Sequence, residues 1–555
     1  MGEPDRRFSF RGRPRSARPG EDLLAALARD RLPLLRRSIQ YHRPQGPFCG
    51  IGHCAGCLVR VNGRPNVRAC RYEPAEGDSV TTENAWPSPG FDLLAAIGLL
   101  FPNGVDTLHG LRRPAAATPI FQGLVRRLAG TGSPPTEEAG RALDAPAVER
   151  SCDVAVVGAG PSGRAVVRSL VASGTRPVVV ERALRPTAVD GAELFGATTA
   201  VFLPPPREDA GGRFTVLAFR EPAQAVRVTA RSVVVASGGY DGPLLFRGND
   251  RPGVITAAAA LSLSEPPRHP PFGRAVVVGG GPRAAELIER CGSAVEAVVA
   301  PGEVRPEVVR AAADHGVLLY PRSLLLRAYG RGRIRAIRIR ARGGGAESTV
   351  PCDAVILAHR TLPHTQLFFQ VGAKMDWHPE AGAYFPSVDP DGRTGVPRLF
   401  ATGFVAGVPP GGLAEHADRL VRALSSRDLP PPSTPAAGSP RAPTELLGYY
   451  RELLRVPGHG RFVACPCADV LLSEVEEANR SGYRGIEVIK RYTSLGTGIC
   501  QGRYCLPDAL LVLSILENRP PEEVGYITQR PPVAVTPLAA FAALPAPAST
   551  TPEVP

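Results

Sequence analysis

Two stretches of the chain share one alternation of apolar and polar positions. SCDVAVVGAGPSGRAVVRSLVASGTRPVVVER (151–182) reads as an apolar strand, a glycine-rich turn, a helix and a second strand ending in an acid. GRAVVVGGGPRAAELIERCGSAVEAVVAPGE (273–303) repeats that order about 120 residues later. Ahead of both, CLVRVNGRPNVRAC (57–70) predicts strand, Asn-Gly turn and strand, and EDLLAALARD (21–30) a helix. Behind both, DVLLSEVEEAN (469–479) and PDALLVLSILEN (507–518) predict helices. The apolar run FDLLAAIGLLF (91–101) is shorter than the ~18 residues that suggest a membrane span, so no transmembrane segment is expected.

Pro-rich stretches punctuate this pattern. SPPTEEAG (133–140) precedes the first glycine turn, DLPPPSTPAAGSPRAPTE (428–445) has the composition of a linker, and LPAPASTTPEVP (544–555) that of a tail. The expected plan is multidomain α/β. A β-grasp domain spans 7–90, a connecting segment 91–150, and the first part of a dinucleotide-binding domain 151–265. A second, Rossmann-like domain is inserted over 266–358, and the first resumes over 359–425. A Pro-rich linker (426–455), a small helical domain (456–520) and a Pro-rich tail (521–555) complete it.

Composition changes this picture little. The net charge of +13 invites a nucleic-acid partner, yet the only lysines are Lys374 and Lys490, and the arginines are scattered without a basic run or interleaved aromatics. Nucleic-acid binding is not expected. The N-terminal MGEPDRRFSF lacks an apolar export region, so a cytoplasmic protein is expected, membrane-associated only through a partner.

Cysteine usage carries the first chemical signal. Of eleven cysteines, Cys152, Cys291 and Cys352 stand alone and read as core residues. Cys49, Cys54, Cys57 and Cys70 are spaced C-x4-C-x2-C with a distant fourth, the plant-type ferredoxin arrangement for a [2Fe–2S] cluster. A reducing compartment argues against disulfides, and zinc usually asks for two close Cys pairs, though zinc stays an open alternative. Gly46, Gly50, Gly52 and Gly56 let the loop wrap closely around such a cluster. His53 reads as a bystander, because a Rieske centre needs two histidines. Cys465, Cys467, Cys500 and Cys505 form C-x-C and, about thirty residues on, C-x4-C within GICQGRYC, each pair ahead of a predicted helix. That signature resembles the helical [2Fe–2S] domain of bacterioferritin-associated ferredoxin, again with zinc as the alternative.

The glycine turns carry the second signal. Gly158 makes the tight turn, Gly160 admits a pyrophosphate and Gly163 lets helix and strand pack, with Pro161 and Ser162 opening the helix. Glu181 is placed to meet a ribose hydroxyl. Ser237 and Gly238 close the first domain in SVVVASGGYDGPLLFRGNDRPGV (232–254), and Gly403 lies in RLFATGFVAGV (398–408), which reads as a strand returning to the same site. The second turn keeps Gly279 and Gly281, but its second strand ends VVAPGE without the acid, leaving occupancy open.

Together, SIQYHRPQGPFCGIGHCAGC, NAWPSPGFD, VVGAGPSG, GGYDGPLLFRGNDRPGV, RLFATGFVAGV, IKRYTSLGTGICQGRYC and TQRPPVAV resemble the alpha subunits of heteromeric amine and amino-acid dehydrogenases and oxidases, across roughly 8–535. These are the sarcosine oxidase, opine oxidase, hydrogen cyanide synthase and proline or hydroxyproline dehydrogenase types. The resemblance implies two nested Rossmann-like domains of disulfide-reductase type, with FAD, NAD or ATP in the first. It implies oxidation of the amine in a separate flavin-containing, amino-acid-oxidase-like beta subunit, and electron delivery to quinone, oxygen or a soluble carrier. It also implies FMN at a subunit interface, with Lys490 and Arg491 placed toward its phosphate. No catalytic residue is assigned within this chain. Two other readings stay open: a self-contained NAD(P)H-dependent electron transferase, and a non-catalytic, cluster-bearing scaffold subunit.

Overall fold

The computed structural model describes residues 4–96, 135–141, 145–204, 212–221, 224–265, 268–425 and 444–544. Most of the connecting segment expected over 91–150, much of the linker, and the last residues of the tail (545–555) lie outside them.

Arg13–Ala17, Arg6–Phe10, Ser79–Thr82, Leu58–Val61 and Arg64–Arg68 form, in that spatial order, a five-stranded sheet. Only the pairing of Arg6–Phe10 with Ser79–Thr82 is parallel. Helix Leu23–Leu27 buries Leu23 and Leu24 in the core this sheet shares, the β-grasp arrangement. Asp22 caps the helix by accepting the Ala25 N–H at 2.9 Å. The helix is shorter than the 21–30 expected, because Ala28 N–H already closes the last turn on Leu24 and Ala25.

The next sheet runs Glu193–Phe195, Val178–Val180, Val148–Val157, Gln224–Val235, Phe214–Arg220, Thr198–Phe202, with Leu399–Ala401 joined in parallel to Gln224–Val235. Its central strands end in valine runs that are buried on both faces, as parallel strands covered by helices must be. Helices Pro161–Ala172 and Leu413–Ser425 cover one face.

A second, wholly parallel sheet orders Val254–Thr256, Ala354–Leu357, Ala275–Val278, Val295–Val299 and Leu318–Tyr320. It takes in Val254–Thr256, which the sequence pattern assigns to the first unit. A three-residue strand gives no periodicity by which to place it.

The C-terminal unit begins with a hairpin of Val463–Cys465 and Val470–Leu471, followed by helices Leu472–Arg480, Ile486–Thr493 and Leu506–Glu517. Leu506 to Ser514 are buried without a break. One apolar core joins Leu510, Tyr449 and Tyr450 to Val276, Leu324 and Val355 of the second unit. Among the described residues, no helix is long and apolar enough to cross a membrane.

Candidate functional site

The first glycine turn is built by contacts that exclude side chains. Gly158 has φ +106°, and a Cβ there would lie 2.4 Å from the Ala236 carbonyl. A Cβ at Gly163 would lie 1.9 Å from the Gly158 carbonyl, so helix and strand close only over glycine. Gly160 caps helix Pro161–Ala172 and has open space where a Cβ would point. Glu181 reaches back onto the turn and accepts the N–H groups of Ala159 and, at 2.7 Å, Ala183. Ser162 packs its hydroxyl against Gly403. The Ser237 hydroxyl donates to the His364 carbonyl at 2.9 Å.

These residues border a cleft of about 240 Å³, lined by Gly158, Gly160, Glu181, Ser237 and Gly238 among others. His53, Arg182, His364 and Arg503 also line it. His53 lies inside the first C-x4-C loop and Arg503 inside the second. The His53 and His364 rings meet edge to face with centroids 4.7 Å apart, and His364 lies 4.8 Å from Tyr240. Burial, then Arg182 and Arg503, hold both imidazoles well below their ordinary pKa, so both are neutral near pH 7. Arg503 donates to the carbonyls of Cys500 (3.0 Å) and Val533 (2.8 Å). Arg182 donates to the Ile51 carbonyl in the first cysteine loop. Sequence reading sets His53 aside and misses Arg182, Tyr240, His364 and Arg503.

All eight grouped thiols are free, and they meet in twos. Cys57 and Cys70 have sulfurs 3.5 Å apart, and Cys49 is hydrogen-bonded to Cys54. Cys465 is hydrogen-bonded to Cys505, and Cys467 to Cys500, so each pair takes one thiol from either motif. No three or more His, Cys, Asp or Glu groups gather on one point among the described residues. Pairs are the arrangement that a two-iron cluster uses, each iron taking two thiolates.

The backbone fits the same use. His53 and Cys54 N–H groups point at Cys49 Sγ (3.3 Å each), Gly56 N–H at Cys54 Sγ (3.4 Å) and Ala468 N–H at Cys465 Sγ (3.5 Å). Burial raises the Cys49 thiol, but the Cys54 thiol and backbone N–H groups outweigh it and bring it to about 5. The Cys467 thiol and backbone N–H groups of Tyr504 and Gly502 outweigh burial at Cys500, bringing it to about 7. Gly56 is obligatory here, since a Cβ would stand 2.1 Å from the Gly46 carbonyl. The two groups share one apolar cluster in which Cys49, Cys54 and Cys500 pack with Tyr240, Leu362 and Tyr504. Buried Arg36, within electrostatic reach of Cys54 and Cys467, donates from its guanidinium to the Ala55 carbonyl at 3.4 Å.

Two other sequence candidates lie elsewhere. Gly279 and Gly281 form the second turn, but the loop after its second strand is covered. Glu445, on helix Thr444–Leu453, lies with its carboxylate 2.1 Å from where a Cβ on Gly302 would be. Lys490 and Arg491 end helix Ile486–Thr493 and both pair with Glu487, at 3.0 and 3.2 Å. They do not line the cleft. Val488, Tyr483 and Tyr492, on and beside the same helix, are exposed.

Comparison with known proteins gives three domain matches. Residues 6–85 match the family of 2Fe-2S iron-sulfur cluster binding domains, 209–423 the pyridine nucleotide-disulphide oxidoreductases, and 460–544 the sarcosine oxidase A3 domain. The chain is 30% identical over 577 residues to the alpha subunit of sarcosine oxidase from Rhizobium meliloti (strain 1021), covering 94% of this chain and 56% of that one. It thus spans about half the length of that relative. It is 25% identical over 461 residues to an opine oxidase chain, the one designated A, of Agrobacterium tumefaciens (strain Ach5), covering 71% and 92%. The solved structure of L-proline dehydrogenase from P. horikoshii superposes over 98% of both chains with a TM-score of 0.66 at 19% identity, a shared fold.

Proposed function

Taking as premise that the chain is a homologue of the alpha subunits of sarcosine oxidase and opine oxidase, we propose that it is the electron-carrying alpha subunit of a heteromeric flavin-dependent amine or amino-acid dehydrogenase or oxidase. The observation that carries this reading is the shared wall: one residue from each C-x4-C loop, His53 and Arg503, borders the cleft of the first glycine turn. Cys49, Cys54, Cys57 and Cys70 hold one [2Fe–2S] cluster, and Cys465, Cys467, Cys500 and Cys505 a second. Gly158, Gly160 and Gly163, with the N-terminus of helix Pro161–Ala172, hold the pyrophosphate of FAD, with NAD or ATP as competitors, and Glu181 its ribose. When bound, flavin takes electrons in pairs while [2Fe–2S] centres pass them singly, so the set converts two-electron into one-electron transfer.

The chain's own residues set the conditions for that exchange. Burial keeps water from the thiols, backbone N–H groups stabilise their anionic form, and Arg36 places a positive charge within reach of Cys54 and Cys467. Oxidation of the C–N unit takes place in a flavin-containing beta subunit. The exposed face around Val488, Tyr492 and Tyr483, beside Lys490 and Arg491, is the side offered to that partner and to an interfacial FMN. The terminal acceptor is a quinone, oxygen or a soluble carrier. The complex works in the cytoplasm, docked to a membrane if its partner is.

Anaerobic purification of the full chain, alone and with its beta subunit, tests this. About four irons, four sulfides and one dinucleotide per chain are expected, with amine oxidation only in the complex. Zinc in place of iron, or full amine oxidation by the isolated chain, would overturn it. NADH-driven dye reduction by the isolated chain would favour the electron-transferase reading.

A further inference from the structure

The first cysteine loop is fastened to the second by residues that stand next to the thiols. Gln45 donates from its side-chain amide to the carbonyl of Pro466, the residue between Cys465 and Cys467, at 2.9 Å. The ring of Phe48, beside Cys49, meets the ring of Tyr504, beside Cys505, edge to face with centroids 5.0 Å apart. Cys54 and Cys467 line one small cavity of about 50 Å³. Asp469 completes the junction. It lies in the turn of the hairpin of Val463–Cys465 and Val470–Leu471, at φ +65°, and is fully buried. Its carboxylate accepts the backbone N–H groups of Gln40 (2.8 Å) and Tyr41 (2.7 Å) and pairs with Arg43, three partners from the N-terminal domain. A buried carboxylate is costly unless it is paired, so its burial depends on the two domains being docked.

We propose that Asp469 is a positioning residue for electron transfer: it pins the two cysteine loops together, so that an electron crosses directly between the two clusters rather than by way of the dinucleotide. The inference rests on the reading that the eight thiols hold two [2Fe–2S] clusters. Electron tunnelling falls off steeply with distance, and here the residues flanking the thiols of one loop touch those of the other. Cys49, Cys54 and Cys500 pack in one apolar group with Tyr240, Leu362 and Tyr504, which keeps water out of the junction. Position 469 takes a left-handed backbone that glycine adopts most readily, yet it carries an acid whose partners lie across the junction. In the exchange one cluster loses a single electron and the other gains it. No bond is made or broken, no proton moves, and no further reactant is needed.

Electron paramagnetic resonance tests this on the full chain, purified anaerobically with its iron and stripped of bound nucleotide by high salt. Each reduced cluster carries one unpaired electron. In the wild type fully reduced with dithionite the two signals should split each other, and the splitting should be absent while only one cluster is reduced. Asp469→Gly removes the carboxylate and suits the left-handed backbone, so it should keep its iron and give two independent signals. Asp469→Asn, which keeps an acceptor for Gln40 and Tyr41 and tolerates the same backbone, should retain the splitting. Iron content identifies a glycine variant that drops a cluster. Gln45→Met, which loses only the bond to Pro466, then decides: a narrower splitting is expected, and an unchanged one would overturn the docking role. Two independent signals in the wild type would overturn the direct path, and an unchanged splitting in Asp469→Gly at full iron would overturn the role of Asp469. Fewer than about four irons per wild-type chain would instead sink the cluster reading and the inference with it.

Discussion

The two glycine turns begin from nearly the same sequence, GAGPSG and GGGPRA, and end in different surroundings. Both cap a helix that opens with proline, through Gly160 and Gly281. The first looks into a cleft whose far wall is drawn from residues 53, 364 and 503. The second belongs to a unit packed against the C-terminal domain: Glu445 lies on Gly302, and Arg360, two residues past Ala358, forms an ion pair with Asp508. The same strand–turn–helix motif is therefore set in two different surroundings by the elements that pack around it. Mutation, ligand binding and pH can each separate these two fates.

The largest effect is expected at the clasp that seals the second unit. Arg360 and Asp508 are both buried, and Asp508 also takes a hydrogen bond from Tyr450. Asp508→Ala strands a buried guanidinium and should cost about 3–5 kcal/mol in denaturant unfolding. Glu303→Ala, at a pair whose partners are both 70% exposed, should cost less than about 1 kcal/mol.

Next comes the turn itself. Gly163→Val puts a side chain where even a Cβ would meet the Gly158 carbonyl at 1.9 Å, and should cost about 2–3 kcal/mol. Ala284 stands at the matching place in the second turn, already carries a Cβ and is fully buried. Ala284→Gly should cost only about 1 kcal/mol. If both changes cost the same, the closer packing of the first turn is wrong.

Ligand binding then distinguishes the turns directly. Glu181→Ala should weaken ADP by about tenfold, the loss of one charge-assisted hydrogen bond, and Glu303→Ala should leave it unchanged. Calorimetry should find one dinucleotide per chain. A second NADH site would break the comparison.

How much of this is legible in sequence follows from how far apart the participants lie. Cys49, Cys54 and Cys57 sit within nine residues, and Gly158 to Gly163 within six, so spacing alone announces them. The Rossmann-like sheets follow from the valine runs, since strands buried on both faces leave no polar alternation. His53, His364 and Arg503 are invisible, because no local pattern links them and only docking of three domains brings them to one wall. A rule about metal ligands sets His53 aside, whereas the structure has it facing the cleft. Lys490 and Arg491 are read from a basic pair beside glycines, and in the structure Glu487, one helical turn back, pairs with both.

The smallest effect concerns pH and belongs to the first unit. His416 lies on helix Leu413–Ser425, which packs on helix Pro161–Ala172, and its Nδ1 is 3.0 Å from the hydroxyl of Thr402, next to Gly403. Burial, then Arg419, lowers its pKa, and the carboxylates of Asp391 and Asp389 only partly offset this. The folded chain therefore binds this proton less readily than the unfolded chain. The stabilisation that His416 contributes is present above the ordinary histidine pKa of about 6.5 and is lost as pH falls through the lower folded value. Unfolding free energy measured from pH 7.5 downward should decline through that window, and His416→Gln should flatten the decline without altering the plateau slope. At the second turn, half-buried His359 is likewise held well below its ordinary pKa by burial and then Arg360. His359→Gln should steepen nothing and flatten its own share of the same decline. If His416→Gln leaves the profile unchanged, the helix covering the first turn is not held by a neutral imidazole, and Thr402 must find its partner elsewhere.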